Sequence, residues 1–108
     1  MASVIMSPES ERDLMRLGDY ITQQFKSHKT ALNTIRKIKA RINELERFPL
    51  TGKPLSAIVA VDTDYRLLGC GSYLAFYRFE NDMVLIDRIL HGRQDYVTIL
   101  LGKIEEDK

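Results

Sequence analysis

At 108 residues, with 44% hydrophobic and 29% charged residues, the chain has the composition of a single globular domain spanning 1–108, and its length excludes a second core of useful size. No apolar run approaches the roughly 20 residues that a bilayer span requires, so no membrane partner is expected. One cysteine, Cys70, excludes an intramolecular disulfide, and the opening residues lack the basic start and apolar segment of a secretory signal, which leads to the expectation of a cytoplasmic location.

The formal net charge of +1 conceals an uneven distribution. Residues 1–50 hold nine Lys or Arg against six Asp or Glu, a net +3, whereas residues 51–108 hold seven against nine, a net −2. From Lys26 to Arg41 there are six Lys or Arg and no acid. Such a run either meets phosphate or an acidic protein, or is a solvated helix face.

In chain order, Ser3-Val4-Ile5-Met6 is a short apolar run of strand type. Ser7-Pro8-Glu9 then supplies an N-cap, a proline at the first helical position and first-turn acids, so a helix is predicted from Pro8 to Phe25 or Lys26. Leu14, Leu17, Ile21 and Phe25 recur at helical spacing and mark its buried face. Ser27-His28-Lys29-Thr30 reads as a polar break. Leu32, Ile35, Ile38, Ile42 and Leu45 mark a second helix, ended by Phe48-Pro49 because the residue before proline is pushed out of helical geometry. A loop follows, with a short extended segment expected at residues 57–61.

Residues 65–90 read as antiparallel strands, with Gly69-Cys70-Gly71 as a bulge or tight turn and Asn81-Asp82 as a hairpin turn. A two-residue turn at Asn81-Asp82 puts Arg78 opposite Leu85 and diagonal to Asp87. The core face is then expected to carry Tyr73, Ala75, Tyr77 and Phe79 against Val84, Ile86, Arg88 and Leu90. Residues 97–104 are apolar enough for a final short helix, and residues 105–108 read as a solvated end. The fold class predicted is α+β: a strand, a helical hairpin on one face of a small antiparallel sheet of three further strands, and a short carboxyl-terminal helix. The opening strand is expected at an edge or beside the last strand.

Several of these residues form one pattern. A strand runs into a Ser-Pro-Glu helix start, a basic second helix ends in Phe48-Pro49, and Tyr65-Arg66, Gly71-Ser72-Tyr73, Phe76-Tyr77-Arg78 and Ile89-Leu90-His91-Gly92-Arg93 follow. The whole resembles the RelE/ParE superfamily of toxins from bacterial type II toxin-antitoxin modules, known also for plasmid stabilisation. The resemblance implies a growth-inhibiting toxin in a hetero-oligomer with a cognate antitoxin, with no cofactor.

The superfamily has two branches. In a RelE-like reading, a ribosome-dependent endoribonuclease cuts messenger RNA, which needs a base, an acid and cations for the developing charge. His91, Tyr96, Arg66 and Arg78 are the equivalents that the resemblance implies. In a ParE-like reading the protein binds DNA gyrase without catalysis, and Lys53, Arg88 and Arg93 are candidates for target binding. The single lysine in the loop around Lys53, and a Tyr96 followed by twelve more residues, bring the chain closer to the ParE-like branch. An inactive antitoxin-binding domain is a third reading. His91, Arg93 and Tyr96 are expected to be displayed together at one end of the sheet. No metal site is expected from two histidines and one cysteine, Cys70 has no base at a recognisable spacing, and no glycine-rich phosphate loop occurs.

Overall fold

The structure, a computed structural model, describes residues 1–102. Strand β1 (Ser3–Met6) leads directly into helix α1 (Pro8–Phe25). Ser7 caps that helix, its hydroxyl accepting from the Ser10 amide at 2.9 Å and satisfying one of the unpaired donors of the first turn. Lys26 closes α1 in the left-handed region at φ 51°, and the next residue, Ser27, already caps α2 (His28–Asn43) by accepting from the Thr30 amide. The expected polar break is therefore only Lys26-Ser27, and His28, Lys29 and Thr30 are helical. Phe25, expected in the core, is 66% exposed because the chain turns there, and Ala31 is buried in its stead.

A 3-10 turn, Glu44–Glu46, ends the hairpin before Phe48-Pro49. Strand β2 is only Lys53–Pro54, and the extended segment expected at residues 57–61 does not form: a 3-10 turn, Leu55–Ala57, runs into turn and bend through residue 61. Strands β3 (Arg66–Cys70), β4 (Tyr73–Glu80) and β5 (Met83–His91) form the meander, and α3 (Tyr96–Leu101) closes the described chain. Residues 103–108, which include the expected solvated end, lie outside the described residues.

The sheet order is β1-β5-β4-β3-β2. The opening strand lies both at the edge and beside the last strand, but it runs parallel to β5, so the sheet is mixed and not wholly antiparallel. A four-residue apolar run carries no mark of strand direction. Asn81 and Asp82 both take positive φ, 53° and 58°, the backbone of the expected two-residue hairpin, and Arg78 does pair with Leu85.

The hairpin departs from the expected register at one place. Tyr77 pairs with Ile86 but Phe76 pairs with Arg88, leaving Asp87 as the extra residue of a β-bulge. Beyond it every pairing moves by one, so Ile89 joins the helix-side core while Leu90 turns to the other face. The sheet thus has two covered faces. Helices α1 and α2 bury Ala75, Tyr77, Val84, Ile86 and Ile89 on one side, and on the other Leu55, Tyr65, Phe76 and Leu90 form a smaller cluster against which α3 packs. Each fully buried apolar side chain of this size contributes roughly 1.5–3 kcal/mol, so the larger cluster carries most of the stability. Gly18 leaves room for a side chain of α2: a Cβ there would meet Ile35 Cδ1 at 3.0 Å.

Candidate functional site

The bulge on β5 is held from α1, and that attachment shapes a cleft. The Ser7 amide donates to the Ile86 carbonyl at 2.9 Å, and the Ser7 hydroxyl donates to the Asp87 carbonyl at 2.7 Å. In the second turn of α1, the buried carboxylate of Asp13 accepts two bonds from the Arg88 guanidinium, at 2.8 and 2.9 Å, and a third from the Ile89 amide at 2.9 Å. Three donors meet most of the acceptor capacity of a carboxylate withdrawn from water, the condition under which a buried charge is tolerated. The hydrogen bond to Asp13 also pushes the Arg88 pKa above its ordinary value. The sequence held one sign of this: Asp13 lies in the same helical stripe as Ser10, Leu14 and Leu17, a carboxylate inside a buried face.

Beside this anchor, a cleft of about 1150 Å³ opens between the helical hairpin and the end of the sheet. Tyr20 and Phe25 of α1, Thr30, Thr34 and Lys37 of α2, the turn between β3 and β4, and His91 with Arg93 and Gln94 form its walls. Five Lys or Arg line it (Arg16, Lys37, Arg41, Arg88 and Arg93) against one acid, Asp13. Arg88 is committed to Asp13, and Arg41 donates to Glu44 and to the Gly69 carbonyl, which leaves Lys37 and Arg93 as the exposed cations without an ion-pair partner among the described residues. Tyr20 and Phe25, 58% and 66% exposed, give the same cleft an apolar wall. Cys70 also lines it, but burial pushes its thiol up to about 11, so it stays protonated and unreactive.

His91 sits in this cleft with its ring edge-on to Tyr73, 5.3 Å between centroids. Its Nδ1 accepts from the Arg93 amide at 3.1 Å, and its own amide donates to the Gln94 side chain at 2.7 Å, so the ring is part of a turn. Tyr96 is not beside it. It packs on Phe76, 5.1 Å between centroids, within the cluster on the opposite face of the sheet. His91, Arg93 and Tyr96, expected at one site, are thus divided between the two faces, because the residues after the bulge and the turn at His91 carry the chain around the sheet edge.

Arg66 lies opposite Tyr77, four strand positions from the Tyr73–His91 pair, and donates to the Gly52 carbonyl at 2.7 Å. Arg78 stands over the Tyr65 ring at 4.9 Å and lies 4.0 Å from Asp87, its diagonal neighbour across the hairpin. The Tyr65 hydroxyl donates to that same Asp87 carboxylate, and burial chiefly, with the hydrogen bond to Asp87 next, pushes the phenol up to about 12. Lys53 is exposed on the edge strand β2, paired with Leu67, and does not line the cleft. The structure therefore gathers His91, Arg88 and Arg93 in the cleft and sets Arg66, Arg78, Tyr96 and Lys53 elsewhere. Tyr20, Lys37 and Tyr73 belong to the cleft without having been foreseen, since no motif joins residues from three elements. Among the described residues no group of histidine, cysteine and carboxylate side chains could hold a metal ion, and no helix is long and apolar enough to cross a membrane.

This arrangement of helical hairpin, mixed sheet and flanking short helix recurs in solved structures. One is from the chromosomal ParDE TA system of P. aeruginosa, at TM-score 0.72 and 19% identity, with 84% of this chain and 96% of that one aligned. Another is from the toxin-antitoxin complex RelBE2 of Mycobacterium tuberculosis, at TM-score 0.58 and 22% identity, over 83% of this chain and 96% of that one. No curated protein sequence matches the chain. The fold class is α+β, RelE/ParE-like. Within it, the family model described as the ParE toxin of type II toxin-antitoxin systems, parDE, matches residues 4–96, and the chain belongs to that family.

Proposed function

We propose that this ParE-type toxin arrests growth by binding DNA gyrase, without cutting a nucleic acid, and that a cognate antitoxin silences it by laying an acidic, amphipathic segment into the cleft. The observation that carries the binding reading is the separation of the side chains that RNA cleavage would need to bring together. A general base, a general acid and phosphate-neutralising cations act within hydrogen-bond reach of one reacting group. His91 and Tyr96 lie on opposite faces of the sheet, and the guanidiniums of Arg66 and Arg78 are engaged with Gly52 and with Tyr65 and Asp87. The antitoxin reading is supported by five Lys or Arg against one acid in a cleft that also exposes Tyr20 and Phe25, a surface that pairs with carboxylates while burying an apolar anchor.

Purified gyrase supplies the test. Supercoiling of a relaxed plasmid falls as the full chain is added and recovers when the antitoxin, the product of the neighbouring reading frame, is supplied in equal amount. Unimpaired supercoiling at saturating toxin contradicts the gyrase target. The double variant Lys37→Glu/Arg93→Glu should weaken antitoxin binding by at least tenfold, most clearly at low salt.

A further inference from the structure

We infer that the outer face of α2, away from the cleft, is a contact surface for duplex DNA. Helix α2 contains no acidic residue. With the buried stripe of Ala31, Ile38 and Ile42 turned to the core, Lys29, Arg36 and Lys39 project from the solvent side, and all three are exposed. None of the three has an ion-pair partner among the described residues, in contrast to Arg41 on the inner flank, which is tied to Glu44. Asn33 and Asn43, both exposed on the same helix, add neutral hydrogen-bond donors.

The character of this face selects the occupant. An acidic protein segment draws affinity from buried apolar anchors, and among the described residues of this face only Leu32, 39% exposed, is a large apolar side chain. A single strand of nucleic acid needs aromatic platforms for its bases, and α2 itself carries no aromatic besides His28: the exposed Tyr20 and Phe25 belong to α1 and the cleft, and the exposed Phe48 follows the end of the helix. A duplex needs neither. It offers a stiff row of phosphates whose condensed counterions are released when cations replace them. Lys29 and Arg36 are seven residues apart, an axial rise of about 10.5 Å. At that spacing both side chains stand on one face of the helix and can meet different phosphates of the duplex. The inference goes beyond the gyrase reading and does not depend on it, since the contact forms with DNA alone.

Fluorescence anisotropy of the full chain with a labelled 30-base-pair duplex of arbitrary sequence is the experiment. Binding is expected at 50 mM salt, with log K falling against log salt at a slope of about −3, as for three phosphate contacts. Lys29→Ala/Arg36→Ala/Lys39→Ala should weaken it at least tenfold and flatten the slope, while Arg12→Ala, which removes an exposed cation of α1, leaves it unchanged. Because alanine is the best helix former, circular dichroism of the triple variant should match the parent. The glutamine triple variant, which also removes the charge, repeats the test should the alanine form misfold. Absence of duplex binding at 50 mM salt, equal binding by the triple variants, or tighter binding to the matching single strand or RNA duplex overturns the proposal.

Discussion

Asp13 shows how much one side chain settles in this protein. Its carboxylate is nearly excluded from solvent and ties the second turn of α1 to the Arg88 guanidinium and the Ile89 amide at once. Asp13→Ala would leave the guanidinium without its counter-charge and the Ile89 amide without an acceptor, so a loss of about 3–5 kcal/mol is expected in urea unfolding. Asp13→Asn keeps an acceptor for the amide and should lose less. A second prediction concerns Tyr65, whose phenol is pushed from 10 to about 12 in the fold. A pKa raised by folding means that the native state holds the proton more tightly than the unfolded chain. The contribution is therefore complete below pH 10 and disappears as pH rises from 10 to about 12. Tyr65→Phe removes that titration, so its unfolding free energy should fall less steeply than that of the parent across the same interval. Unfolding curves collected at half-unit steps of pH measure the difference.

At the scale of the elements, the helices and the hairpin turn were legible in the sequence because each has local punctuation. Ser7-Pro8 starts α1 and Asn81-Asp82 turns the chain at positive φ, and each acts on residues within about four positions of itself. The bulge at Asp87 was not legible, because an extra residue in one strand is defined by its partner strand and by Ser7 and Asp13 far back in the chain. That one unforeseen residue sends Leu90 to the far face, where it joins the cluster under α3 that also holds Phe76 and Tyr96. The loop before the meander has a similar long-range fixture. The Tyr77 hydroxyl accepts from the Gly52 amide at 2.9 Å and donates to the Pro49 carbonyl at 2.7 Å. A Cβ at position 52 would lie 2.6 Å from that hydroxyl and 2.8 Å from the Leu67 carbonyl, and a carbonyl in the sheet cannot move away. Gly52→Ala should therefore displace the loop and lower the thermal midpoint by several degrees, as for a loss of about 1–3 kcal/mol. Tyr77→Phe, which removes the two hydrogen bonds but not the ring, should cost a similar amount. An unchanged midpoint in both variants would show that the fixture contributes nothing.

Across the whole molecule, the distribution of charge follows the architecture. The cations of residues 26–41 divide between the cleft, which Lys37 and Arg41 line, and the outer surface of α2, so one helix presents two basic faces. The sequence disclosed the basic run but not its division, which depends on where the sheet end and the His91 turn meet α2. Equally, the residues named for RNA cleavage were plausible by type, yet type alone does not bring groups together, and the fold sets Tyr96 behind the sheet from His91. We propose that this toxin acts by occupying its target and not by cutting one. This is tested most directly by incubating the full chain with ribosomes programmed with a defined messenger RNA and mapping the ends of the transcript. An intact message is expected, as is unaltered growth arrest when His91→Ala and Tyr96→Phe are combined. Cleavage of the message that disappears in that double variant would contradict it.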